Sequence, residues 1–293
     1  MARPTSTVQA FASPSAVGND QFASHNVVTR EFRHGSTRIQ LDYRFDRSER
    51  LLTVTFSPVS DGTLSPETIE RLLYDVRTTV DSTLPSYETD SIRILTSAMS
   101  PDAAAPMFDV GFRIRSELTL LTKELSRSPL QRLRVRSGRR ANPGWILPPN
   151  VTIRRGSDAD LTEAVDIDQN AFGELWAMDH HDLRAALTAT PSAELIVAHR
   201  HRETVGFAIV GRSGRRGYLQ RLAVHTSTQG LGVGSGLVNA TCDWAARGDV
   251  RRLVVNTQTS NGQALRLYRR NGFVESPLGL VLLDYELSRQ LRS

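Results

Sequence analysis

Leu222-Ala223-Val224-His225-Thr226-Ser227-Thr228-Gln229-Gly230-Leu231-Gly232-Val233-Gly234-Ser235-Gly236-Leu237-Val238 decides how this chain folds. Leu222 to Val224 close an apolar strand, a turn follows with glycines at 230, 232, 234 and 236, and Leu237 and Val238 continue into a helical pattern. Glycine lets the backbone approach an anion closely, and the first amides of a helix are unpaired donors at the positive end of its dipole. The stretch reads as a phosphate cradle. Its spacing, Gln229-x-x-Gly232-x-Gly234, belongs to neither of the two common nucleotide loops. No Gly-Lys-Ser/Thr follows, which excludes the nucleoside-triphosphatase loop. A dinucleotide fold wants an acidic residue about 20 residues on, ending a second strand. Asp243 falls instead inside the helical pattern of Leu237, Ala240, Thr241, Trp244 and Ala245, so that fold is excluded too.

Downstream lies a β-branched strand, Arg252-Leu253-Val254-Val255-Asn256-Thr257, and then Ser260-Asn261-Gly262-Gln263-Ala264-Leu265-Arg266-Leu267-Tyr268-Arg269-Arg270-Asn271-Gly272-Phe273. Ser260 or Asn261 suits a helix N-cap, and Gly272 suits a left-handed helix end. With Gln229/Gly232/Gly234 followed by Asn261-x-x-Ala264-x-x-x-Tyr268-x-x-x-Gly272-Phe273, the chain resembles the GNAT N-acetyltransferase superfamily over about residues 150 to 287. The fold this implies is α/β (α+β), a mixed central sheet flanked by helices. The elements read along it are strands at 151–155, 194–199, 204–210, 217–224, 252–257, 273–276 and 280–287, and helices at 158–172, 176–189, 232–246 and 261–271. Asp166-Ile167-Asp168-Gln169-Asn170-Ala171-Phe172 with Trp176 is loosely similar to the opening of ribosomal-protein alanine N-acetyltransferases.

The resemblance implies acetyl-CoA as cofactor and direct transfer of its acetyl group to a primary amine, on a protein or peptide N-terminus or a small molecule, within a ternary complex. The backbone of Gly230, Leu231, Gly232, Val233, Gly234 and Ser235, introduced by Gln229, then takes the pyrophosphate. The edge of Leu222, Ala223 and Val224 pairs with the pantetheine amides, and the Val224 amide polarises the thioester carbonyl, where negative charge develops. Asn261 and Tyr268 lie about two turns apart on one helix face toward the cofactor arm, with Tyr268 the acid for the departing thiolate. The alanine N-acetyltransferases carry a glutamate twelve residues before the tyrosine, and here that position is Asn256, which is no base. Asn256 and Gln258 are suited to hold a water that relays the proton or to orient the acceptor. Asp179, His180 and His181 lie on the second helix near the acceptor cleft, and His225 ends the cofactor strand. Asp-His-His without a third spaced ligand is no metal site.

The 293 residues suffice for two modest domains. The single cysteine, Cys242, excludes a disulfide framework and reads as packing beside Trp244. With no span of apolar residues long enough for a bilayer and no signal-peptide core, a cytoplasmic protein without a membrane partner is expected. One lysine, Lys123, stands against 35 arginines, so arginine number alone does not indicate nucleic acid. The basic excess sits in 127–148, which holds six arginines and no acid, while 1–126 carries 13 basic and 16 acidic residues and 149–293 carries 17 and 15. This segment reads as an Arg-rich linker, and nucleic acid is not the expected partner. Residues 1–27 read as a disordered tail.

Residues 28–126 read as a smaller α+β domain. Strands fall at 38–45, 51–56, 92–95 and 117–125, and helices at 66–80 and 101–109. A shift of 161 residues lays Gly111-Phe112 on Gly272-Phe273, Ala103 on Ala264 and Ile92 to Leu95 on Leu253 to Asn256. This domain is read as a degenerate, non-catalytic GNAT-like repeat, ahead of a catalytic domain at 149–293. Met107 stands where Tyr268 would, and residues 58–64 contain only Gly62. Two other functions are compatible with the sequence: an acetyl-CoA-binding regulatory protein with little turnover, and an RNA- or ribosome-associated protein docking through the linker. The oligomeric state is left open, since edge strands of this fold pair between subunits in some members only.

Overall fold

The structure, a computed structural model, describes residues 27–46, 51–58, 64–83, 91–125, 147, 149–172, 176–201 and 203–287. Nearly all of the expected tail, which at Val27 gives way to a strand, nearly all of the Arg-rich linker and the segment around Gly62 lie outside the described residues. The chain forms two compact units, residues 1–118 with 278–293, and residues 119–277.

The first unit opens with β1 (Val27–His34), β2 (Thr37–Asp46) and β3 (Leu51–Pro58). It continues with α1 (Pro66–Thr83), β4 (Ser91–Thr96), α2 (Pro101–Asp109) and the start of β5 (Arg113–Glu124), and takes in the closing strand β12 (Leu280–Leu287). Its strands run in the order β1-β2-β3-β4-β12-β5, with β3 and β4 parallel and the other pairs antiparallel. Period-two alternation produces this half: Ile39, Leu41 and Tyr43 on β2 and Leu52, Val54 and Phe56 on β3 all point into one core. On α1, Ile69, Leu72, Leu73, Val76 and Val80 make the apolar stripe that joins it. β1 escapes sequence reading because Thr-Arg-Glu-Phe-Arg-His is polar almost throughout. It is the outermost strand of its unit and, among its described side chains, Phe32 alone is a hydrophobic packed against the core, so no hydrophobic alternation announces it.

The second unit follows from β6 (Val151–Arg155) through a 3-10 turn, Asp158–Asp160, to α3 (Leu161–Phe172) and α4 (His180–Thr188). Then come β7 (Ser192–Arg200), β8 (Glu203–Ser213), β9 (Arg216–Val224), a 3-10 turn at Thr226–Thr228 and α5 (Val233–Arg247). β10 (Arg252–Gln258), α6 (Gly262–Arg270) and β11 (Val274–Glu275) complete it. β6 to β9 form an antiparallel meander, and β10 adds parallel to β9. The strand interiors are near-continuous apolar runs because helices cover both faces. Leu195, Val197, Phe207, Ile209 and Ala223 pack with α3 and α4. Ile196, Ala198, Ala208, Val210, Leu219 and Val224 pack with α5 and α6. A mixed sheet flanked by helices is therefore what the chain builds.

The compact units do not share the sequence-based boundaries at 126 and 149. Residues 119–124 of β5 count with the second unit, where β11 pairs with Leu121 and Thr122, and β12 counts with the first, where it pairs with β4. Within the second unit, Lys123, the sole lysine, donates from Nζ to the carbonyl of Asn271 at 2.6 Å. It thus places its charge at the negative end of α6.

Candidate active site

The site begins where two parallel strands separate. β9 and β10 pair only through Arg216, Gly217 and Tyr218 against Arg252, Leu253 and Val254. On its other side β9 stays paired to β8 as far as Val224 opposite Gly206, with an irregularity between Ile209 and Val210 that leaves Gln220 unmatched. The His225 amide donates back to the Val205 carbonyl at 2.9 Å, on the β8 side. Successive residues of a strand alternate direction, so the amides of Leu222 and Val224 face the side that β10 has left. This is an open edge two amides long inside a sheet.

Gln229 ties the following loop to that edge. Its Nε2 donates to the Val224 carbonyl at 2.9 Å, and its Oε1 accepts from Gln263 Nε2 at 3.1 Å. Gln229 is thus a brace for the loop, and its side chain is already engaged. Gly232 is the N-cap of α5 with φ +94°, a conformation that explains the glycine. Gly234 has a different reason: a Cβ there would come within 3.3 Å of Leu267 Cδ2, so it sets the close approach of α5 to α6. The amides of Gly230, Gly232, Val233, Gly234 and Ser235 find no backbone acceptor among the described residues, and space is open at Gly230. The Ser235 hydroxyl receives Asn271 Nδ2 at 3.2 Å, and Leu231 is half exposed beside the cradle.

Tyr268 is buried, its ring packed 5.7 Å from that of Phe273. Its hydroxyl has no hydrogen-bond partner among the described residues, and burial holds it protonated well above the ordinary tyrosine range, with the Arg221 guanidinium pulling modestly the other way. Asn261 caps α6, its Oδ1 accepting the Ala264 amide at 3.0 Å. Asn256 is half-buried on β10, two residues beyond the last pair with β9. Leu253 and Val255 belong to the α5/α6 core, so alternation turns Asn256 to the α3/α4 face. Gln258 shares that face and is half-buried as well.

The remaining candidates have other work. Asp179 caps α4 by accepting the Asp182 amide at 2.8 Å, while His180 and His181 are exposed. His225 Nδ1 is bound to Ser227 Oγ at 2.8 Å. Cys242 is buried, and burial raises its thiol pKa, which suits packing rather than nucleophilic attack. Among the described residues no cluster of His, Cys, Asp and Glu could hold a metal, and no helix is long and apolar enough to cross a membrane.

Sequence reasoning missed Arg221. It forks onto Asp168 at 2.7 and 2.6 Å, donates to the Trp176 carbonyl at 2.6 Å, and lies over the Phe172 ring at 3.7 Å. The signal was available: Leu161, Ala164 and Asp168 follow helical spacing, and a carboxylate on a buried stripe requires a partner.

Residues 161–273 match the model of the acetyltransferase (GNAT) family. An IAA acetyltransferase of Azospirillum brasilense is 29% identical over 138 residues, which are 45% of this chain and 90% of that protein. Among solved structures, a GCN5-related N-acetyltransferase from Sphaerobacter thermophilus superposes with a TM-score of 0.58 at 16% identity, covering 86% of this chain and 78% of its own. A tandem GNAT protein from the clavulanic acid biosynthesis pathway gives 0.57 at 14%, covering 87% and 81%. These likenesses show the fold.

Proposed function

We propose that the chain is an acetyl-CoA-dependent N-acetyltransferase acting on a primary amine. The observation that carries this reading is the coincidence of an open two-amide edge, a loop of unpartnered amides at a helix start, and an unpartnered tyrosine hydroxyl, in one unit that matches an acetyltransferase family. The donor set fits the group. Amides of Gly230 and Gly232 to Ser235 suit a pyrophosphate, and the Leu222 and Val224 amides suit an extended amide arm laid along β9. Acetyl-CoA supplies an acetyl thioester, whose acyl carbon is transferred to the amine nitrogen as sulfur departs with the bonding pair.

The chain's own residues do the rest. The Val224 N–H donates to the acyl oxygen as charge accumulates there, a role for which a fixed backbone dipole needs no reorganisation. Tyr268 keeps its proton through the working pH range and gives it to the departing sulfur. Asn256 and Gln258, on the face opposite α5 and α6, hold the water that accepts the proton of the amine. No base of ordinary carboxylate pKa enters, so the amine's own ionisation sets the ascending limb of the rate against pH. Because burial raises the Tyr268 pKa, no descending limb belongs to it below about pH 10, the unperturbed tyrosine value.

The test is thiol release from acetyl-CoA with 2-phenylethylamine, spermidine, lysine and alanine-initiated peptides as acceptors, alongside calorimetric titration of the cofactor. Turnover with any amine class, rising with pH without a fall below pH 10, supports the reading. Tight acetyl-CoA binding with no turnover on any acceptor replaces it with the regulatory one.

A further inference from the structure

We infer that Arg221 is a positioning residue that pins the segment Trp176 to Asp179 to the donor strand β9; as a statement about acceptors this rests on the acetyl-transfer reading. Arg221 lies one residue before Leu222, the first of the two outward-facing amides. It stands at the parting of β9 and β10, and all that it holds comes from the other side of the sheet. Asp168, on α3, is fully buried and binds Arg221 Nε through Oδ2 at 2.7 Å and Nη2 through Oδ1 at 2.6 Å. That same Oδ1 accepts the Met178 amide at 2.7 Å, and Nη2 also donates to the Trp176 carbonyl at 2.6 Å. Phe172 closes the guanidinium from one face at 3.7 Å.

One cation therefore fixes both Trp176 and Met178, the first directly and the second through Asp168. Asp179, the next residue, caps α4. The segment Trp176 to Asp179 is thereby held to β9 one residue before the first of its two open amides, which on the acetyl-transfer reading places it on the acceptor side. A lysine cannot replace this arrangement. It is a point charge, whereas the fork meets two carboxylate oxygens and a carbonyl at once.

A buried ion pair also bears on folding, so the test must separate the two roles. Replacing both partners by apolar groups of similar size leaves no uncompensated charge. Asp168→Leu with Arg221→Met should therefore fold, with a Tm lowered only by the lost bonds to the Trp176 carbonyl and the Met178 amide. In that double variant, and in Arg221→Lys, hydrogen–deuterium exchange at the Met178 amide should quicken at least tenfold, while the Kd for coenzyme A stays within threefold. With 2-phenylethylamine or an alanine-initiated peptide as acceptor, KM for the amine should rise at least tenfold with kcat within threefold. Unchanged Met178 exchange in the folded double variant overturns the inference. So does loss of coenzyme A affinity in step with Met178 protection, which would make Arg221 a brace for the donor strand as much as for the segment. If the parent releases no thiol with any amine, the acetyl-transfer reading fails, and the exchange measurement still decides whether Arg221 pins the segment.

Discussion

Each unit has a nine-residue helix closed by a glycine of positive φ, and the units differ where β3 and β4, or β9 and β10, lie side by side. Offset by 161 residues, α2 falls on α6 end for end, and Gly111 and Gly272 both take positive φ. The Phe112 amide returns to the Met107 carbonyl as the Phe273 amide returns to that of Tyr268, and Ser100 caps its helix as Asn261 does. Yet β3 and β4 are paired without interruption from Leu51/Ser91 to Phe56/Thr96, and the Ser97 amide then bonds the Phe56 carbonyl. β9 and β10 share three pairs and part. A parallel pair that stays closed has spent its amides on itself, whereas one that opens leaves donors for a ligand. Met107, fully buried, stands in the closed unit where the open one has Tyr268.

The contrast is broken most sharply at those two helix positions. Tyr268→Phe keeps the ring against Phe273 and removes only the hydroxyl, so thiol release should fall about 100-fold or more, the usual worth of a positioned acid, with acetyl-CoA affinity within twofold. Met107→Leu, volume-conserving in a closed core, should leave both unchanged and cost under about 1.5 kcal/mol of stability by denaturant titration. Equal turnover in Tyr268→Phe and the parent would reduce Tyr268 to a core residue like its counterpart.

Hydrogen exchange tests the strands themselves. The amides of Leu222 and Val224, open in the free protein, should slow by roughly tenfold or more when coenzyme A is added, as stability linkage to a bound ligand requires. Those of Val54 and Ile94 should exchange slowly and show no response. A response in β3 or β4 would mean that the first unit also offers an edge.

Much of this was legible in the sequence. The strand 151–155, the helix 101–109 and the closing strand 280–287 were readable to the residue, because Pro, Gly and capping side chains mark their ends. The glycine loop marked the start of α5, and an offset of 161 residues lays α2 on α6. What stayed hidden depends on partners distant in sequence. The parting of β9 from β10 is a property of two strands together, and neither carries a residue that declares it. The engagement of Gln229 with Val224 and Gln263, which makes it a brace, depends on a loop closing onto its own strand. β1 shows no alternation, and the unit to which β12 belongs is set by pairing rather than by chain order.

Glycines separate the units at the next scale. Gly232→Ala and Gly111→Ala both force a β-carbon into positive φ, at +94° and +101°, which costs roughly 1–2 kcal/mol in each case. Only at Gly232 does the backbone also aim amides outward, so acetyl-CoA affinity should drop about tenfold there and remain as it was in Gly111→Ala, by isothermal titration. A loss of affinity in Gly111→Ala would deny that the cradle is confined to the second unit.

The smallest difference concerns the two caps. Each accepts the amide three residues on, Ser100 from Ala103 and Asn261 from Ala264, and an alanine at either position costs on the order of 1 kcal/mol. The helices behind them start differently, however. α2 begins with Pro101, whose fixed φ is already helical and which has no amide to satisfy, whereas α6 begins with Gly262, the residue with most freedom to lose. Asn261→Ala should therefore be the more destabilising, about 1–1.5 kcal/mol against about 0.5 for Ser100→Ala, a gap visible as a Tm lower by roughly 1–4 °C. Equal losses would show that the cap side chain alone governs both helix starts. A larger loss at Ser100 would show that the first unit depends on its short helix more than its closed, well-packed strands suggest.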